Sequence, residues 1–178
     1  MKKALLYSSI PCTGGSGWTH INKHIPSAFT KIKKHRKLFE KLFQTFTKLC
    51  EVARECGTFI AIEWPTGCTY WKNSSVRGLI QRYGLRPVKF HGCALNVRAT
   101  SGPDKGKKLK KPWTIYTDCP YVVDIFSNKL CQRNHDHAEC RGKVCKESED
   151  YSADYVACLH RAFKRAVDDD DLRAGGSN

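Results

Sequence analysis

A short apolar run that stops at a proline and a cysteine and then opens into glycines governs what this chain can become. Ala4 to Ile10 is almost wholly apolar or small, the pattern of a strand covered on both faces of a parallel sheet. Pro11 lacks the N–H that a ladder needs and biases Ile10 toward extended backbone, so pairing ends there. Gly14, Gly15 and Gly17 then permit a tight turn and the close approach of a ligand. Cys12 is thereby delivered to the carboxyl end of a strand, where open α/β sheets place their chemistry. It has the position of a nucleophile.

A second strand completes the thought. Leu38, Phe39, Leu42, Phe43, Phe46, Leu49, Cys50 and Ala53 recur at three and four residues, which predicts an amphipathic helix over 30–56 stopped by Gly57. Its apolar stripe is core, and Cys50 and Cys56 are packing residues. The preceding run from Lys31 to Lys37 includes Lys33, Lys34 and Arg36, cations that oppose the helix dipole there. They are either a solvated first turn or phosphate contacts. Thr58 to Ile62 reads as the next buried strand, ending in Glu63-Trp64-Pro65. Strand, helix and parallel strand make neighbours through a crossover, which sets Glu63 level with Cys12. A strand-end glutamate alone is a hydrogen-bonding group for a loop; opposite a strand-end cysteine it makes a site.

Charge names the partner class. Thirty-one Lys and Arg against seventeen Asp and Glu leave a formal +14, with acids gathered near Glu147–Asp154 and Asp168–Asp171. Such a surface concentrates polyanions, and nucleic acid is the expected partner, DNA ahead of RNA. The ten cysteines are scattered through predicted helices, strands and loops, unlike a disulfide framework, which predicts reduced thiols and an intracellular protein, cytoplasmic or nuclear. Met1-Lys2-Lys3 before an apolar run imitates a secretory leader, yet Pro11 stands where a small residue should precede cleavage. No run has the length of a membrane span.

Pro11-Cys12-Thr13-Gly14-Gly15-Ser16 resembles the Pro-Cys-x-Gly-x-Ser nucleophile loop of the cytosine-5 DNA methyltransferases, and Glu63-Trp64-Pro65 is similar to their Glu-Asn-Val or Glu-Asn-Pro motif. The order continues with a predicted helix over 73–83, a strand over 87–95, a Gly/Lys-rich turn over 101–111 and a strand over 112–118. Lys110 and Lys111 stand where phage-type members carry an arginine-bearing motif. The resemblance implies an α/β fold: a partial Rossmann-like methyltransferase sheet of about four strands, parallel plus a hairpin, with flanking helices. It also implies roles. Cys12 would attack C6 of a flipped cytosine, Glu63 would hold N3, and Lys110 or Lys111, of which Lys111 is taken as the catalytic one, would stabilise the ring. Ser16, Lys33, Lys34, Arg36 and Lys110 would touch nucleic acid.

Departures qualify what the resemblance brings. The family's Phe-x-Gly-x-Gly loop for S-adenosylmethionine has no counterpart here, nor does a target-recognition domain, and Trp64 replaces the usual Asn. S-adenosylmethionine is therefore expected as cofactor only where a second chain or domain completes the sheet. Half-domains with an Ile-Pro-Cys loop and a Glu-Trp-Pro strand end look like those embedded in mobile-element polyproteins. Without the first half, the strand over 4–10 becomes a sheet edge that invites another chain.

The last third carries a separate signal. Cys131-x3-His135-x-His137-x2-Cys140-x4-Cys145 packs thiols and imidazoles at spacings that can close a tetrahedral zinc site, with Cys119 able to replace one ligand. The bland alternative is a polar loop with free thiols. Arg141 and Lys143, with Arg133 and Lys146, would give this loop a phosphate-facing rim. An amphipathic helix over 151–167 closes the chain, and the acidic, Gly/Ser-rich stretch over 168–178 is expected to be disordered. The domain reading is thus a methyltransferase-like half over 1–119, a Cys/His-rich segment and helix over 120–167, and a tail. Two functions survive it: a cytosine methyltransferase half, or an inactive zinc-containing nucleic-acid-binding module. A cysteine hydrolase would need His20, His24 or His91 as base, none at motif spacing.

Overall fold

In the computed structural model, which describes residues 4–17, 19 and 25–175, strand β1 (Leu5–Ser8) lies parallel to β2 (Phe59–Pro65). Leu5 is opposite Phe59 and Ser8 opposite Ile62. Helix α1 (Pro26–Glu55) joins them, followed by α2 (Ser74–Arg82), β3 (Arg86–His91), β4 (Pro112–Thr117), α3 (Pro120–Ser127), α4 (Gly142–Glu147) and α5 (Ala153–Gly175). The four strands form a mixed parallel and antiparallel sheet in the order β1-β2-β4-β3. β1 is an edge strand, half-buried along its length. His20 and His24 fall outside the described residues. No helix among those described is long and apolar enough to cross a membrane.

The described residues divide into two compact units, 4–87 with Ile115–Asp118, and Val88–Thr114 with 119–175. The β3–β4 connection belongs to the same unit as the Cys/His segment. Aromatic packing accounts for it. Phe90 and Trp113 lie with their ring centroids 5.6 Å apart and pack on Phe126 and Tyr155, both fully buried in the second unit. Tyr151 stacks on Tyr155 at 4.2 Å. Ser152 opens α5 by accepting the Tyr155 N–H and donating its own hydroxyl proton to Leu95. The helix then runs through Gly175, where the sequence alone predicts disorder from Asp168. Carboxylates at a helix C-terminus oppose the dipole. Here Tyr121 donates to Asp169, and Arg165 pairs with Asp124 at 2.6 Å, fastening that stretch to α3.

In the first unit α1 begins at Pro26, a turn earlier than its periodicity suggests, because proline at the first helical position has its φ already set. Lys33, Lys34 and Arg36 consequently lie within the helix rather than at its head. Phe39, Phe43, Phe46, Cys50 and Ala53 are buried on one face. Phe39 stacks on Tyr70 with centroids 3.7 Å apart, and Trp64 meets Tyr70 and Trp71 edge-on at 5.7 and 4.7 Å. Cys56 and Gly57, the latter at φ 66°, stop the helix. Asn73 caps α2 by accepting the N–H of Ser75 at 2.9 Å.

The glycines after Cys12 serve the fold rather than an open ligand loop. Residues Thr13–Gly15 make one 3-10 turn, with Gly14 and Gly15 buried. A Cβ at Gly14 would stand 2.3 Å from the Tyr70 hydroxyl, and one at Gly15 would stand 2.9 Å from Cys68 Sγ and the Tyr70 ring. Arg36 Nε donates to the Gly14 carbonyl and Thr69 Oγ1 to that of Gly15. Gly17 has nothing within 4 Å. Gly14→Ala and Gly15→Ala should each destabilise by about 1–3 kcal/mol through overpacking. Gly17→Ala should be close to neutral, and thermal denaturation of the three variants checks the contrast.

Candidate functional site

The strand ends come together as the crossover requires. The Trp64 indole N–H donates to the Ile10 carbonyl at 2.5 Å, with Trp64 1% exposed, so the segment leading to Cys12 is pinned to β2. Trp64 is therefore a clamp in the place where the resemblance has Asn. Cys12 is half-buried and packs against the apolar core, and its carbonyl accepts the Gly15 N–H at 2.8 Å. Glu63, on β2, is 4% exposed. Both residues reach Cys68 electrostatically: burial, chiefly, pushes the Cys68 thiol up to about 12, and Cys12 and Glu63 push the same way against a hydrogen bond from the Tyr70 backbone. Burial likewise takes Tyr70 up to about 12, with Cys68 adding, Arg36 opposing and Cys12 adding. Cys12, Cys68 and Tyr70 pack in one apolar cluster, and Glu63 acts on Cys68 from β2.

The expected cations distribute differently. Lys33, Lys34 and Arg36 are exposed on α1, and Arg36 is turned back onto the Gly14 carbonyl. Ser16 is half-buried, its carbonyl accepting the Thr19 N–H at 3.0 Å. Lys111, in the second unit, donates to the Ser148 carbonyl and, at 3.1 Å, to its hydroxyl, and lies 5.1 Å from the Trp113 ring centroid. These contacts occupy the ammonium that the resemblance assigns to the pyrimidine. Lys110 is exposed. Arg141 pairs with Glu139 at 2.6 Å and Lys143 with Glu147 at 3.4 Å.

The second unit holds a tighter constellation. Cys93, Cys131, His135 and His137 place one donor atom each within 4.8 Å of all the others, a group that could hold a metal ion. Cys131 Sγ is 3.4 Å from His137 Nε2 and 3.9 Å from His135 Nε2. Surrounding groups orient the donors. Arg133, at φ 58°, aims its backbone N–H at Cys131 Sγ from 3.4 Å, and Asn134 Oδ1 lies 2.8 Å from His135 Nδ1, which leaves Nε2 for an ion. His91 Nδ1 accepts the Cys131 N–H at 2.9 Å while the His91 backbone N–H donates to the Lys129 carbonyl. Burial pushes Cys93 up to about 11, whereas the Arg133 N–H draws Cys131 below the usual thiol range. His135 is lowered by partial burial and then by Lys108.

Two expected ligands do not join. Cys140 and Cys145 instead act on each other's ionisation beside Ser148, and Cys119 is buried at the start of α3. Cys93, on the 3-10 turn Gly92–Leu95 after β3, takes their place. Sequence spacing could not reveal it, because it lies far upstream in an apolar segment that reads as strand. Its one signal was His91-Gly92-Cys93, a chelating pair beside a glycine; Gly92 donates to the Lys110 and Lys111 carbonyls, and a Cβ there would stand 3.2 Å from the Leu109 carbonyl.

No protein-family model, curated protein or solved structure matches this chain. Cys93→Ser should therefore cut affinity for a Co2+ probe, read from its thiolate charge-transfer and d–d absorption, by more than the roughly 100-fold that loss of an outer-shell partner can cost. Cys140→Ser and Cys145→Ser should leave it unchanged.

Proposed function

We propose that this chain is a nucleic-acid-binding module whose second unit is assembled on a zinc ion held by Cys93, Cys131, His135 and His137. The observation that carries the reading is the convergence of these four donors within a ring of cations. Two thiolates and two imidazoles are a zinc donor set. Metal–sulfur bonds of about 2.3 Å and metal–nitrogen bonds of about 2.0 Å put sulfur and nitrogen roughly 3.5 Å apart in a tetrahedron. The sulfur–nitrogen separations of 3.4 and 3.9 Å suit that geometry. Four protein ligands close the shell, so the ion supplies folding energy rather than reactivity.

Charge accounting then points outward. A zinc ion with two thiolates is neutral, and the charges around it are mostly positive: Lys110 and Arg133 act on Cys131, and Lys108 and Arg98 on His135, with Asp136 opposing them there. Arg98, Lys110 and Arg133 are exposed. A zinc-pinned loop displaying fixed positive charge fits a phosphate backbone, where each neutralised phosphate releases counterion. Fluorescence anisotropy on duplex DNA should give affinity that falls steeply with salt. Arg98→Ala, Lys110→Ala and Arg133→Ala should each weaken binding and reduce the log–log salt slope by about 1. Zinc removal by a chelator should abolish binding; zinc-free protein binding as well as the loaded form would overturn the reading.

A second reading rests on the first unit: Cys12, at the turn after β1, and Glu63, on β2, both act electrostatically on Cys68. That arrangement suits the addition of a thiolate to C6 of cytosine, with Glu63 at N3, as in the methyltransferases the loop resembles. The residues here do not form the glycine-rich methyl-donor loop, so no transfer of a methyl group is derived. Addition alone has a readout. The C5 hydrogen of cytosine in an oligonucleotide should exchange with solvent deuterium, and Cys12→Ser should stop it. Absence of exchange with DNA bound would leave the first reading standing and remove the second.

A further inference from the structure

Cys140 and Cys145, freed from the metal centre, occupy positions with a defined relation. Arg141 is the N-cap of α4, so Cys140 is the residue before the cap and Cys145 the fourth residue of the helix. These are the two positions whose side chains meet in a hydrophobic staple, and here both are thiols. Each thiol acts on the other's ionisation. Cys140 Sγ lies 3.9 Å from Ser148 Oγ, which donates to the Cys145 carbonyl at 2.9 Å. Lys111 Nζ donates to the same hydroxyl at 3.1 Å, fixing a cation beside the pair. Both cysteines are half-buried, open to a small reagent, while Ser148 beneath them is 5% exposed.

We propose that Cys140 and Cys145 form a reactive dithiol that a peroxide closes to a disulfide, independently of the metal ion. Cys145, with Ser148 and Lys111 and against burial, holds the Cys140 thiol down at about 6; the same interaction pushes Cys145 up. Cys140 is the attacking thiolate and Cys145 the resolving thiol. Cys140 sulfur attacks one peroxide oxygen; the S–O bond forms, the O–O bond breaks, and the departing hydroxide takes a proton to become water. Cys145 then gives up its proton and attacks Cys140 sulfur. The S–S bond forms, the S–O bond breaks and a second water leaves, so two thiols and one peroxide become one disulfide and two waters. Glu149, which raises Cys145 electrostatically, is the acidic group that opposes this second step.

The zinc-loaded full chain is treated with hydrogen peroxide, blocked, digested and mapped by mass. The peptides carrying Cys140 and Cys145 should be joined, and thiol reductant should separate them. Cys145→Ser should halt at a dimedone-trappable sulfenic acid on Cys140. Alkylation of Cys140 should follow pH with an inflection near 6, and Lys111→Met should move it up. Zinc content should be the same in wild type, Cys140→Ser and Cys145→Ser, which also reports that the variants fold. A cross-link to any other cysteine, or zinc lost from Cys140→Ser, would overturn the proposal, the second by returning these thiols to the metal.

Discussion

Residues 128–141, between α3 and α4, contain no helix and only an isolated bridge from Lys108 to His137, yet this stretch supplies three of the four clustered donors. Irregular backbone of this kind buries little apolar surface, and ordering each residue costs about 1–2 kcal/mol of backbone entropy. Something other than a core must hold it. The Ala138 N–H bond to Lys108, the Cys131 N–H bond to His91 and the converging donor atoms are what the structure offers. A bound ion would add folding free energy where hydrophobic burial is scarce. Arg133 is displayed on that stretch, whereas Arg98, Lys108 and Lys110 ride on the neighbouring segment, where the Leu109 N–H donates to Val97 and both side chains are buried.

The first unit solves its problem by burial. Trp64, Phe39 and Tyr70 pack around one another, and the Trp64 N–H, which burial obliges to find a partner, takes the Ile10 carbonyl. The hydrogen bond makes the path from β1 to Cys12 a consequence of β2 packing. It also explains why Gly14 and Gly15 cannot carry side chains: the Tyr70 ring and hydroxyl occupy that space. A glycine-rich loop near a cysteine reads as ligand space in a sequence, but here an aromatic side chain of the same unit fills it.

Periodic features were legible. The apolar spacing of α1, the β1 and β2 runs with their parallel pairing and the Asn73 cap follow from local pattern and one connection rule. What the sequence concealed depends on contacts between distant residues. Cys93 looks like an apolar strand residue until the turn after β3 brings it to Cys131, and Lys111 looks like a free catalytic cation until Ser148 is seen to accept from it. The acidic end of α5 reads as a disordered tail because its support, Tyr121 and Asp124, sits on another helix. Cys140 and Cys145 differ in kind: their spacing suits a chelate, and it also suits the residue before a helix cap and the fourth residue of the helix, positions that a helix N-terminus brings together.

Charge separates the two pairs of thiols further. Cys93 and Cys131 share their donors with two imidazoles, so an ion of charge two leaves a neutral centre that a half-buried site tolerates. A site built from Cys131, Cys140, Cys145 and one imidazole would carry a net negative charge and would need Lys111 as its counter-ion. Lys111 is instead committed to Ser148, where its charge, after the contributions of Cys145 and Ser148, helps draw the Cys140 thiol down. The lysine thus sits with the Cys140 and Cys145 thiols, at the strand-entry position where the resemblance implies contact with a pyrimidine.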